Sequence, residues 1–329
     1  MSVTMLGMRV LILRCGEAAA ELVLPKTLYR SSGVEIFTLP AVPGRGDLKF
    51  LSEHATELLP VDSTPSLEEI QAQPRVEHMA APQLAPQQPV MPLRIIVIGS
   101  DAALSAVLTR LLRADQLWPQ IGFVPVAEPT NSAVDTTGSK NVSGPATENA
   151  ASSTASTAAQ NWSIPADPAA ALKLALTGEV KPVPLIRNDA GQAVAGSAAI
   201  SQWDASAMTG EIIVDDATLL QQDAQGSADN ASRSLAYGAR LVPMLNAPGI
   251  AAAVHTAAPQ PRGLFARWRK KKNPGASVSQ LDPHSLVTGR AVQAGGPEMA
   301  VHVDGVRSKR PQKRVTFYRH LRDLQIIRP

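Results

Sequence analysis

Leu93-Arg-Ile-Ile-Val-Ile-Gly99, then Ser100, then Asp101-Ala-Ala-Leu-Ser-Ala-Val-Leu-Thr-Arg-Leu-Leu-Arg-Ala-Asp-Gln-Leu117 is the stretch on which the architecture turns. An apolar run closed by glycine reads as a strand buried on both faces of a parallel sheet. In the segment after it, Leu104, Val107, Leu108, Leu111 and Leu112 recur at helical spacing. Ile121-Gly-Phe-Val-Pro-Val126 supplies the next strand directly. Strand, glycine turn, helix and strand make a right-handed crossover. In an open sheet of this kind, ligands bind at the carboxyl ends of the strands, here beyond residue 98.

Working outward, strands are expected over 9–13 and 34–39, with helical potential over 17–28. Residues 1–59 and 93–126 then form an N-terminal α/β lobe of nucleotide-binding type. Between these segments, residues 60–92 are rich in Pro and Gln, with Ala80-Ala-Pro-Gln-Leu-Ala-Pro-Gln-Gln-Pro89 at their heart, which is the composition of a linker or insertion. Residues 127–164 form a Ser/Thr/Ala-rich tract without period and are read as a disordered insertion. Order resumes where Asp167 can cap a helix with Pro168 at its first position, ending at Thr177-Gly178. Strands follow over 183–187, 193–200 and 211–214, and later over 286–294, 299–304, 315–319 and 324–328. Residues 165–220 and 284–329 are therefore assigned to a C-terminal antiparallel β lobe. Residues 221–283 are assigned to a low-complexity insertion that carries a basic cluster.

The 329 residues include one cysteine, Cys15, and no Cys/His spacing suited to zinc, which excludes a disulfide scaffold and a zinc finger. No apolar run approaches the roughly 20 residues of a spanning helix, and the first residues lack the features of a signal peptide. A cytoplasmic protein is expected, any membrane contact being peripheral and on the inner face. Charge is uneven. Residues 262–329 hold 15 Lys and Arg against 4 Asp and Glu, a balance of +11, whereas the preceding 261 residues carry −8. Such asymmetry points to an anionic partner for the C-terminal part. Phe265 and Trp268 are interleaved with Arg262, Arg267, Arg269, Lys270, Lys271 and Lys272, a pattern suited to an anionic membrane surface and less to nucleic acid. A second basic group spans Arg307-Ser-Lys-Arg-Pro-Gln-Lys-Arg314 in an expected hairpin. Asp215-Asp216 invites a paired-carboxylate reading, but adjacent strand residues point to opposite sides, so a solvated turn is the simpler expectation.

Three stretches together resemble the diacylglycerol kinase catalytic-domain family, related in fold to NAD kinases. Val97-Ile-Gly-Ser-Asp-Ala-Ala-Leu-Ser-Ala-Val-Leu-Thr-Arg-Leu-Leu112 lies where that family has a strand–Gly-Gly-Asp-Gly-Thr–helix signature. Asp167-Pro-Ala-Ala-Ala-Leu-Lys-Leu-Ala-Leu-Thr-Gly-Glu-Val-Lys-Pro-Val-Pro-Leu185 is similar to the helix and strand leading into its second lobe. Met299-Ala-Val-His-Val-Asp-Gly-Val306 and Leu324-Gln-Ile-Ile-Arg-Pro329 are similar to its closing strands. The resemblance implies a nucleotide site in the interlobe cleft at Gly99, Ser100 and Asp101, with ATP and Mg²⁺ as cofactors and a lipid or phosphate-bearing molecule as ligand. It also marks departures. The five signature positions read Gly99-Ser100-Asp101-Ala102-Ala103, and alanine where the family's glycine needs φ > 0 would be strained. The family's Asp-Gly-Glu ends here in Val306, and its early Asn-Pro turn is absent after Arg14. With three parts of the phosphoryl-transfer apparatus altered, the expectation is a catalytically impaired relative that keeps ligand binding. An active lipid kinase is the alternative. A further one is a non-enzymatic adaptor that binds anionic membrane or nucleic acid through the basic region. A homodimer through an exposed strand edge is compatible with each.

Overall fold

The computed structural model describes residues 7–62, 64–66, 68–69, 72, 80–127, 155–223, 235–256 and 281–329. The first lobe contains β1 (Arg9–Cys15), α1 (Glu17–Glu21), β2 (Val34–Leu39), α2 (Lys49–Leu58), β3 (Leu93–Gly99), α3 (Asp101–Arg113) and β4 (Gln120–Pro125). Its five-stranded sheet is closed by a C-terminal strand, β16 (Gln325–Ile326), in the order β16-β4-β3-β1-β2 with every pairing parallel. β3 holds the centre, and all seven of its residues are buried, as its unbroken apolar run requires. The crossover β3-α3-β4 is as expected, although α3 stops at Arg113 rather than Leu117.

Two further helices, α4 (Thr157–Asn161) and α5 (Pro168–Thr177), belong to this lobe. Asp167 caps α5 by accepting from the Ala170 amide at 2.8 Å. Arg94, buried on β3, donates to the Ala175, Leu176 and Gly178 carbonyls at 2.6–3.2 Å and so ties the end of α5 to the sheet. Ala171, Leu172, Ala175, Val183 and Leu185 join the first core. Residues 165–185 therefore pack with the α/β lobe, not with the β lobe to which they were assigned.

The second lobe is antiparallel throughout: β5 (Ile186–Asn188), β6 (Ala193–Val194), β7 (Ala198–Gln202), β8 (Gly210–Val214), β9 (Ala217–Gln222), β10 (Gly238–Pro243), β11 (Ile250–His255), β12 (Val287–Gly289), β13 (Ala291–Val303), β14 (Val306–Arg307) and β15 (Gln312–Arg319). Its main path runs β12-β11-β10-β7-β13-β15-β5-β6. β10 and β11 fall inside the segment read as low-complexity insertion, and they pair along six residues each, so that reading is corrected for 238–255. The short alternation in Gly-Ala-Arg-Leu-Val-Pro and the alanine-rich Ile-Ala-Ala-Ala-Val-His carry too little β-branched character to stand out as strands.

The chain crosses between lobes at 185–186 and again after Arg319. There Arg319 and Asp323 form a buried ion pair at 3.0 Å, Arg319 donates to the Ala80 carbonyl at 3.0 Å, and the Gln83 amide donates to Asp323 at 2.9 Å. Residues 80–92 carry no helix or strand up to β3, and these bonds fasten Ala80 and Gln83 to the crossing. No helix among the described residues is long and apolar enough to cross a membrane.

Candidate functional site

The turn after β3 is where sequence reasoning placed the site, and each of its residues has an internal partner. Gly99 packs against the end of β1: a methyl group there would stand 3.1 Å from both the Cβ and the carbonyl of Cys15. Ser100 is the N-cap of α3, its hydroxyl accepting from the Ala103 amide at 3.3 Å. Asp101 is thus the first helical residue. Ala102 and Ala103 lie in regular helix, and neither is among the described residues with positive φ. The anticipated alanine strain is absent because both residues are helical.

The Asp101 carboxylate points across to α4. It accepts from the Ser156 hydroxyl, from the Thr157 amide at 2.8 Å and from the Ala158 amide at 3.2 Å. An acid at the amino end of a helix meets unpaired amides, a favourable arrangement even for one short turn. α4 in turn seats Trp162, which is 1% exposed. Residues 155–164, read as part of a disordered insertion, are therefore structural, and Asp101 holds them in place. Low complexity hid them: Ser, Thr and Ala here supply a cap and a buried helical face, with one aromatic as anchor.

The same spot meets the second lobe. Gly196 comes so near that a methyl group on it would lie 2.5 Å from the Asp101 carboxylate. Its amide, with those of Ala195 and Ser197, donates to Asp304 at 2.6–2.9 Å. Asp304 is buried and has φ 50, within a turn completed by Gly305. Burial pushes its carboxyl up to about 7, although the three amides pull it down, and the neighbouring Asp101 adds to the rise. Arg240 completes the joint by donating to Thr157 Oγ1 at 3.0 Å and Ser197 Oγ at 3.4 Å. Asp304 was quoted in the closing strands but not singled out; a buried acid before a glycine turn was the available signal.

Beside this joint a cleft of about 400 Å³ opens between the β2–α2 loop, the outer face of α3 and the second lobe. Arg45, Arg110 and Arg113 line it, with Ser105, Thr109, Gln192 and Val306, and among the described residues no carboxylate does. Ser105 and Thr109, one helical turn apart, bond the carbonyl and amide of Ala193 at 2.6 and 3.0 Å and fix the cleft's back wall. Arg113 donates to the Ala190 and Gly191 carbonyls. Arg110 reaches Ser52 Oγ at 2.7 Å, while its buried Nε finds no partner. Arg45 is exposed at the rim. Neither Arg45 nor Arg110 was anticipated, since isolated arginines in a loop and a helix carry no sequence motif.

These residues suit the phosphates of a nucleotide, which need positive charge and donors. They do not suit Mg²⁺, which needs carboxylate or other oxygen ligands. Asp101 and Asp304 turn their oxygens to amides and a hydroxyl, Asp47 accepts from the Gly44 amide at 2.8 Å, and Asp189 accepts from the Thr316 amide at 3.3 Å. Elsewhere, Asp215 and Asp216 form the exposed turn between β8 and β9, and the Asp215 carboxylate also accepts from the distant Arg290 and Ala291 amides. Arg307 lies over Trp203 at 3.9 Å on the second basic hairpin. Arg267, Trp268, Arg269, Lys270, Lys271 and Lys272 lie outside the described residues.

No protein-family model matches the sequence, and no curated protein matches it significantly. Solved structures are similar over nearly the whole chain. A diacylglycerol kinase from Bacillus anthracis str. Sterne is 13% identical, with a TM-score of 0.52 over 98% of this chain and 97% of its own. A putative diacylglycerol kinase from the same organism is 12% identical, with a TM-score of 0.53 over the same shares. An NAD kinase from Archaeoglobus fulgidus in complex with ATP is a looser match, at TM-score 0.41 and 10% identity. The chain has the two-lobed diacylglycerol kinase-type fold, an α/β lobe with a parallel sheet joined to an antiparallel β lobe.

Proposed function

We propose that this chain is a kinase-fold protein that binds a phosphate-bearing ligand in its interlobe cleft without transferring a phosphoryl group. The observation that carries the reading is the charge of the site: among the described residues three arginines and no acid line the cleft, while Asp101 and Asp304 accept from amides within their own lobes. A general base must be within reach of the proton it removes. Asp101, surrounded by donors to its carboxylate, faces Ser156 and α4 instead of the cleft. The likeness to proteins called diacylglycerol kinases supports a kinase ancestry and leaves an active lipid kinase as the second reading.

Calorimetric titration with ATP at low ionic strength tests the binding half. Arg45→Gln should weaken binding about tenfold, equivalent to about 1.4 kcal/mol, the scale of one charge-assisted hydrogen bond. Because Arg45 is exposed, the variant should melt with the wild type. Unchanged affinity in Arg45→Gln, or no heat of binding from the wild type, would remove this reading.

A further inference from the structure

We infer that the cleft recognises its phosphate group without a divalent cation, arginine side chains taking the place that Mg²⁺ would fill. The inference rests on the anion-binding reading above and deepens it.

No acid is among the described residues that line the cleft, and the acids beside it accept hydrogen bonds from the protein's own groups. Asp101 precedes the lining residue Ala102, and its two oxygens accept from Ser156, Thr157 and Ala158. Asp304 stands two residues before the lining residue Val306, and its oxygens accept from three consecutive amides. Asp47, in the β2–α2 loop, accepts from the amide of Gly44, a lining residue, at 2.8 Å, and Asp189, next to the lining residue Ala190, accepts from the Thr316 amide at 3.3 Å. Nowhere among the described residues do three of His, Cys, Asp or Glu gather closely enough to hold a metal ion. A hydrated Mg²⁺ carried in on a nucleotide would therefore meet guanidinium groups, not carboxylates. That contact is repulsive, and the ion would also cancel charge on the phosphates that the arginines attract.

Arginine is suited to the substitution. Its planar fork reaches phosphate oxygens two at a time and stays charged at any working pH. Arg110 has one buried N–H without a partner, so a phosphate oxygen near it would satisfy a donor that the protein leaves unpaired. Arg45 lines the same cleft from the β2–α2 loop. The shared ligand chemistry is a phosphomonoester or pyrophosphate dianion, and a cleft of about 400 Å³ could take it from a nucleotide or from a lipid headgroup.

The test is a set of titrations of the full chain with ATP, inorganic pyrophosphate and soluble dioctanoyl phosphatidate, each in EDTA and in excess Mg²⁺. Binding of at least one probe should persist in EDTA, and for ATP the affinity should fall when Mg²⁺ is added. The preferred probe tells a nucleotide source from a lipid source. Arg110→Lys keeps the charge but loses the fork, and it should weaken the preferred probe in EDTA. Binding that appears only with Mg²⁺ would overturn this inference and leave the anion-binding reading standing. No binding of any probe in either condition would sink both.

Discussion

Asp304→Ala should destabilise the chain by at least about 3 kcal/mol, because it leaves three buried amides, those of residues 195–197, without an acceptor at about 1–3 kcal/mol each. Asp304→Asn keeps the shape and one oxygen, so it should cost less and reveals the role of the proton. The folded carboxyl, raised from 3.8 to about 7, holds a proton over a range where the unfolded chain has lost it. A raised acid contributes stability that is fully present below pH 3.8 and is lost as pH climbs to about 7. The shift corresponds to on the order of 4 kcal/mol across that window. The stability deficit of Asp304→Asn, measured by denaturant unfolding from pH 4.5 upward, should accordingly shrink toward pH 7 and then level off. A deficit that stays level from pH 4.5 upward would mean that the amides hold Asp304 ionised throughout.

Trp162→Ala should cost about 3–5 kcal/mol, the range for truncating a buried aromatic. Trp162 is 1% exposed and sits immediately after α4 in the first core. Trp162→Phe should cost far less, since the ring fills most of the space and the indole N–H that it removes has no partner. If residues 155–164 were merely an insertion, both variants would unfold with the wild type. Thermal melts, or urea midpoints at constant slope, distinguish the outcomes.

The two lobes and the central crossover were legible because they depend on strong patterns. Leu93–Gly99 is apolar without interruption and Asp101–Arg113 alternates at a clear helical period. β10, β11 and α4 were not legible, because alanine-rich segments acquire their structure from neighbours: β10 from β7 and β11, α4 from Asp101. The C-terminal strand was expected in the β lobe and instead completes the parallel sheet, since two paired residues cannot announce their partner. At the site, sequence reading found Gly99, Ser100 and Asp101 but assigned their polar groups to a ligand. Ser100 also caps α3, and the Asp101 carboxylate is bonded to α4 by long-range hydrogen bonds that are invisible in the sequence. The arginines that form the cleft came from separate elements, and only the fold brings them together.

Incubation of the purified chain with γ-labelled ATP, Mg²⁺ and a total lipid extract, beside Asp101→Asn and a working lipid kinase, addresses the proposed function most directly. Wild type and variant should both leave the lipid fraction unlabelled while the control kinase labels it. Label that enters lipid with the wild type and disappears with a folded Asp101→Asn variant would make Asp101 a catalytic acid–base group and the protein an active lipid kinase.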